Sequence, residues 1–225
     1  MSKIAVLLSG CGVIDGSEIH EAVLTLLALD KEGIEYICTA PNKDQSQVIN
    51  HITNQPQNEK RNMLIESARI ARGKIKDIKD LNPKEIDAVI LPGGFGAACN
   101  LSTFATEGSD AKILPEVESF LKEMHKLKKP IGAICIAPNI IAKVFGTENV
   151  EITIGNDETT AKKLEKMGAK HINKPVDDIV IDNKNLIVTT PAYMLAKGPA
   201  EVEAGINKLV KEMLALIKLK NKITA

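Results

Sequence analysis

The sequence predicts an α/β domain built on a doubly wound, mostly parallel β-sheet. Strand-like apolar runs alternate with helical patterns along the whole chain, which favours this class of fold. The first run, residues 3–8, is continuously apolar, as expected for a strand that helices cover on both faces. The chain has 225 residues, which suits a single domain over 1–225 with an insertion around 42–75.

The first βαβ unit consists of a strand at 3–8, a helix over residues 19–31 and a strand at 34–39. Gly33 stands where a C′ glycine ends a helix. Residues 42–61 are polar and irregular, and their length suggests a lid or a dimer contact. The later elements follow in order: a helix at 63–71, a strand at 86–91, a helix at 114–126, a strand at 130–134, a helix at 139–145, a strand at 152–154, a helix at 159–167, strands at 179–182 and 186–190, and a helix at 200–220.

Composition excludes several classes of partner. Lys plus Arg and Asp plus Glu both number 29, and aromatic residues make up 3% of the chain. A chain without net charge or stacking residues is not expected to bind nucleic acid or an anionic membrane surface. No apolar run approaches the length of a membrane span, and the first run is too short for a signal peptide.

Four scattered cysteines lack any paired spacing. We therefore expect free thiols in a reducing cytoplasm, with neither a disulfide framework nor a metal site. The cysteines are Cys11, Cys38, Cys99 and Cys135.

The segment KPIGAICIAP at 129–138 is the most informative motif. An apolar strand ends at Cys135 among small residues, and a helical pattern follows at once, which is typical of a nucleophile on a sharp strand-to-helix turn. A thiol at a helix N-terminus has a lowered pKa, so we expect Cys135 to be partly thiolate.

Two other turns lie at the carboxyl ends of predicted strands, SGCG at 9–12 and PGGFG at 92–96. Ligands of open α/β sheets bind at this edge, so Cys11 and Gly93 are possible pocket residues. The backbone N–H groups of Gly94 and Ile136 are candidate oxyanion donors.

Two carboxylates at the start of the first helix are candidates for a partner of the thiol. Glu18 or Glu21 could hold or move a proton there, and their spacing of three puts them on one helical face. No histidine follows a recognisable catalytic signature. The glycine turn is neither a dinucleotide-binding fingerprint nor a Walker A loop, so no cofactor is expected.

Together these motifs resemble the DJ-1/PfpI superfamily, which is related to class I glutamine amidotransferases. The resemblance extends to its ElbB/ES1 branch, the "isoprenoid biosynthesis glyoxalase" proteins. The segments that carry it are SGCGV at 9–13, DGSEIHEAV at 15–23, VINH at 48–51, PGGFGAA at 92–98, PVDDIV at 175–180 and VTTPAYM at 188–194.

The resemblance implies a flavodoxin-like three-layer sandwich that forms a homodimer. It implies Cys135 as reactive thiol, Glu21 in preference to Glu18 beside it, and the backbone of Gly94 and Ile136 as oxyanion donors. The superfamily's histidine after the nucleophile has no counterpart near Asn156.

The first hypothesis is a cofactor-independent glyoxalase that converts a small dicarbonyl to a 2-hydroxy acid through Cys135. A regulator or oxidative sensor that uses the same thiol is the second. A glutamine amidohydrolase subunit ranks last, because it needs a histidine near Cys135.

Overall fold

The computed structural model describes the backbone of residues 2–224 and the side chains of residues 2–220. The strands, in chain order, are β1 (Lys3–Leu7), β2 (Glu35–Ala40), β3 (Ile49–Asn50), β4 (Gln55–Pro56), β5 (Ile75–Asp77), β6 (Ala88–Leu91), β7 (Ile131–Ile134), β8 (Glu151–Ile152), β9 (Lys170–His171), β10 (Val180–Asp182) and β11 (Ile187–Thr190). The α-helices are α1 (Ile19–Lys31), α2 (Met63–Ile70), α3 (Phe95–Cys99), α4 (Phe104–Glu107), α5 (Pro115–Lys126), α6 (Pro138–Phe145), α7 (Glu158–Lys166) and α8 (Pro199–Thr224).

A seven-stranded sheet forms the centre of the molecule, in the order β10-β11-β7-β6-β1-β2-β5. All of its neighbouring strands are parallel except the pair β10 and β11. This order puts the carboxyl ends of β1, β6 and β7 side by side, which is where the sequence concentrates its unusual turns.

Helices cover both faces of the sheet, and β1 contributes to both cores. Ile4 and Val6 pack in the layer with α1 and α8, while Ala5 and Leu7 pack in the layer with α5 and α6. Successive side chains of a strand point to opposite faces, so an entirely apolar strand is buried on both sides. The predicted three-layer α/β sandwich is confirmed.

The structure corrects two local predictions. Residues 42–61 are not wholly irregular, because β3 and β4 form a small antiparallel hairpin there. The glycine turn after β6 is more than a turn, since Gly94 starts the short helix α3 with φ of 93°. The segment 42–75 leads into β5, which pairs with β2 at the edge of the main sheet.

Candidate active site

Cys135 lies on a sharp turn between β7 and α6. Its φ is 60°, a left-handed conformation that non-glycine residues rarely adopt. Its backbone N–H donates to the Thr190 carbonyl at 3.0 Å, so the neighbouring strand β11 holds the turn. Such strain at a residue with a reactive side chain is a feature of functional sites. The turn therefore has the geometry expected of a nucleophile elbow.

The carboxyl of Glu21 lies beside the Cys135 side chain, close enough for each group to shift the pKa of the other. Glu21 is fully buried, and two backbone donors also hold its carboxyl. Gly93 N–H donates to Oε2 at 2.9 Å, and Tyr193 N–H donates to Oε1 at 3.2 Å. The carboxyl is therefore held, beside the thiol, by the turns that follow β6 and β11.

Glu18 has a different position from the one predicted from helical spacing. It is the N-cap residue of α1, and its Oε2 accepts a hydrogen bond from the Glu21 N–H at 2.7 Å. Its extended backbone (φ −64°, ψ 122°) takes it out of the helix, so the two carboxylates do not share a helical face. Of the two candidates, Glu21 is the one that lies beside Cys135, and Glu18 caps α1.

The glycine turn allows these groups to approach each other. A Cβ added to Gly93 would lie 2.5 Å from the Cys135 Cβ and 2.7 Å from Glu21 Oε2. A Cβ on Gly94 would lie 2.3 Å from the Glu18 nitrogen. Any other residue at these two positions would displace either the thiol and carboxyl or the start of α1.

Burial dominates the electrostatics of the pair. It raises the pKa of Glu21 from 4.5 to about 8, with a further contribution from the charge of Glu18. It also raises the pKa of the Cys135 thiol well above its usual value, and the charge of Glu21 adds to this effect. Hydrogen bonds from the backbone N–H groups of Gly94 and Ile136 to the sulfur act in the opposite direction.

The expected lowering of the Cys135 pKa is therefore wrong. The N–H donors at a helix N-terminus lower the pKa of a thiol, but the fold also removes this thiol from water and places a carboxyl beside it. Cys135 as a whole is only 7% exposed. Near neutral pH both groups are mostly protonated, and a thiolate would be stabilised there only by a protonated Glu21.

The other cysteines have separate surroundings. Cys11 is half-buried beside α2, where burial and the charge of Glu66 raise its pKa. Cys38 is buried inside β2, and burial raises its pKa to about 11. Cys99 donates to Asn100 Oδ1 at 3.7 Å. Among the described residues no disulfide is formed.

Three of the histidines have structural partners. His51 Nε2 accepts from the Ile14 N–H at 3.2 Å, and His171 Nε2 accepts from the Ile154 N–H at 3.1 Å. His125 packs on the Phe145 ring with centroids 4.7 Å apart.

The fourth, His20, was not expected at the site because it precedes Glu21 on another side of the helix. Its Nδ1 lies 2.7 Å from the Tyr193 hydroxyl. Sequence reasoning did not find Tyr193 as a neighbour of Glu21. The VTTPAYM segment that carries it was the available signal.

An open cleft of about 690 Å³ lies away from the thiol, between α5 and the segment 78–83. Its lining includes Ile78, Pro83 and Phe120, and neither Cys135 nor Glu21 belongs to it. Volume alone would favour this cleft, but it lacks a paired nucleophile and proton carrier. We therefore assign the candidate active site to the enclosed thiol and carboxyl.

Comparisons with known proteins identify relatives of this chain. The human protein named glutamine amidotransferase-like class 1 domain-containing protein 3, mitochondrial, is 47% identical over 96% of this chain and 83% of its own length. The zebrafish protein named ES1 protein, mitochondrial, is 36% identical over 86% of this chain and 77% of its own.

Solved structures of similar proteins share the fold of this chain. A protein from Ehrlichia chaffeensis, described as an isoprenoid biosynthesis protein with an amidotransferase-like domain, is 38% identical with a TM-score of 0.90. The alignment covers 96% of this chain and all of that one. Schizosaccharomyces pombe DJ-1, at 20% identity and a TM-score of 0.58 over 96% and 97% of the two chains, shares the fold.

Among the described residues, no helix is long and apolar enough to cross a bilayer. The sequence matches the DJ-1/PfpI family over residues 10–197. The chain therefore belongs to the DJ-1/PfpI family, with relatives that carry the ES1 and amidotransferase-like names.

Proposed function

We propose that this protein is a cofactor-independent glyoxalase that converts glyoxal or methylglyoxal to glycolate or lactate. The observation that carries the proposal is the buried juxtaposition of Cys135 and Glu21, whose side chains both lie against Gly93. A carboxyl with a pKa of about 8 exists in both protonation states near neutral pH, so it can both take up and return a proton.

The reaction starts with the addition of the Cys135 sulfur to an aldehyde carbon of the substrate. The thiol proton passes to the Glu21 carboxylate and from there to the carbonyl oxygen, which gives a hemithioacetal. The N–H groups of Gly94 and Ile136, which face the sulfur, support the negative charge that develops on that oxygen.

Glu21 then moves a proton between the two carbons of the bound substrate. It removes the proton from the carbon attached to sulfur and delivers it to the oxygen of the adjacent carbonyl, which gives an enediol. It then takes the hydroxyl proton on the carbon attached to sulfur and delivers a proton to the adjacent carbon. The product is a 2-hydroxy thioester, which water hydrolyses to the 2-hydroxy acid and the free thiol. Overall, the dicarbonyl and one water give the 2-hydroxy acid, so no oxidant or reductant is consumed.

The absence of a histidine partner disfavours glutamine hydrolysis, despite the amidotransferase-like name of the human relative. Among the described residues, the side chains of His51, His125 and His171 have partners elsewhere, and His20 is hydrogen-bonded to the Tyr193 hydroxyl. A cysteine hydrolase needs a base at the thiol that also serves the leaving amine. In this site Glu21 is the ionisable group beside Cys135.

Cys135→Ala tests the proposal. We expect it to abolish glycolate formation from glyoxal, while Cys99→Ala, a matched change outside the site, retains the activity. Glycolate formed by Cys135→Ala at the wild-type rate would disprove the proposed role of the thiol.

A redox sensor is the second candidate, favoured by the same N–H donors. Gly94 and Ile136 would hydrogen-bond the oxygens of a sulfenic or sulfinic acid on Cys135 as readily as an oxyanion. Selective oxidation of Cys135 by mild peroxide, measured by mass spectrometry, together with negligible dicarbonyl turnover, would favour the sensor.

We also propose that the protein is a homodimer and that α1 contributes to its interface. Ile19, Val23 and Leu27 are 42%, 46% and 39% exposed at spacings of four, which gives α1 an uncovered apolar stripe. We further propose the cytoplasm as its location, on the basis of the free cysteines. The names of the human and zebrafish relatives assign those proteins to mitochondria.

A further inference from the structure

Tyr193 connects the surface of the molecule to the buried carboxyl. It lies in the turn after β11, where its backbone N–H donates to Glu21 Oε1 at 3.2 Å. Its side chain extends to the start of α1, where the hydroxyl is hydrogen-bonded to His20 Nδ1 at 2.7 Å. The two rings lie 5.7 Å apart in a tilted arrangement. Tyr193 therefore contacts two successive residues of α1, one through its backbone and one through its side chain.

Together, His20, Tyr193 and Glu21 connect the solvent-exposed surface to the buried thiol. His20 is exposed, Tyr193 is half-buried, and Glu21 is fully buried against Cys135. The Tyr193 side chain packs against the core cluster that contains Cys135. Because Cys135 is only 7% exposed, a bulky electrophile must displace a covering group to reach the sulfur.

We propose that the His20–Tyr193 contact closes the entrance to Cys135 and selects electrophiles by size. The inference rests on the proposed reactivity of Cys135 and adds the residues that control access to it. A phenol ring tethered at its hydroxyl swings aside only when the hydrogen bond breaks. A two- or three-carbon dicarbonyl needs a smaller opening than an aromatic reagent.

The expected effect follows from the strength of one hydrogen bond. Loss of a neutral side-chain hydrogen bond should raise the population of the open entrance by roughly five- to tenfold. Tyr193→Phe removes only the hydroxyl and keeps both the ring and the backbone N–H that holds Glu21. His20→Ala removes the other partner and leaves the phenol in place.

The experiment compares the rates at which iodoacetamide and the bulkier N-phenylmaleimide modify Cys135. Peptide-resolved mass spectrometry separates Cys135 from the other cysteines, and the protein is used in the oligomeric state in which it purifies. A change in thiol reactivity affects both reagents, so the ratio of the bulky to the small reagent's rate reports on the opening. The readout does not depend on dicarbonyl turnover, so the glyoxalase proposal can fail separately.

We expect this ratio to rise about five- to tenfold in Tyr193→Phe and in His20→Ala. The double variant should show no further rise, because both changes remove the same contact. Tyr36→Phe, at the chain's other tyrosine, should leave the ratio unchanged. A ratio equal to wild type in both single variants, or effects that multiply in the double variant, would overturn the proposal.

Discussion

Glu21→Gln replaces a buried carboxyl with an amide that does not titrate. In the folded protein the pKa of Glu21 is about 8, against 4.5 for an ordinary glutamate. Between these pH values the native state holds a proton that the unfolded chain has lost. The free energy of unfolding of the wild type must then fall as pH rises, by about 1.4 kcal/mol per pH unit.

Between pH 4.5 and about 8, the raised pKa of Glu21 contributes about 5 kcal/mol to the free energy of unfolding. This contribution is fully present below pH 4.5 and is lost as pH rises through about 8. The glutamine variant lacks this dependence. It carries a constant penalty of about 1–3 kcal/mol, because its amide nitrogen faces one of the N–H donors of Gly93 and Tyr193. The variant should be less stable than wild type at pH 5 and more stable at pH 8.

Urea unfolding followed by far-ultraviolet circular dichroism measures this difference, since the chain has no tryptophan. Both proteins are compared at pH 5, 6, 7 and 8 at one protein concentration. The informative quantity is the wild-type free energy of unfolding minus that of the variant. A difference that stays constant within about 1 kcal/mol would mean that Glu21 is ionised in the native state, and the proton-carrier argument would fail.

Four further predictions concern the site and its surroundings. The kcat/KM for glyoxal should rise with pH up to about 8, because Glu21 must lose its proton to act as a base, and a flat profile would contradict that role. Gly93→Ala should lower the free energy of unfolding by about 3 kcal/mol, because the new Cβ would lie 2.5 Å from the Cys135 Cβ. In the same denaturation assay Gly198→Ala, whose new Cβ would meet no atom within 4 Å, should change it by less than about 0.5 kcal/mol. Val23→Lys should convert the proposed homodimer to a monomer in light-scattering chromatography, and a persistent dimer would exclude this face of α1. Cys38, buried and with a pKa of about 11, should stay unmodified by iodoacetamide at pH 8 in peptide mapping, and its rapid modification would show that β2 opens.

Much of the fold could be predicted from local patterns in the sequence. The helix expected at residues 19–31 is found as α1, Ile19–Lys31, and the strand that leads into Cys135 is found as β7. Both follow from periodicity and from the residues that end an element, which are properties of short segments. The helix α3 was missed because its five residues, FGAAC, are too few to show a helical period.

The chain by itself determined that a cysteine stands on a sharp turn at the carboxyl edge of a parallel sheet. Only the tertiary structure decided which carboxylate contacts it and which protons the pair holds. Gly93 and Tyr193 reach Glu21 from 72 and 172 residues away, and burial then reverses the pKa shift expected from the helix terminus. The physical reason is that turn geometry is encoded locally, whereas desolvation and long-range hydrogen bonds exist only after the strands assemble.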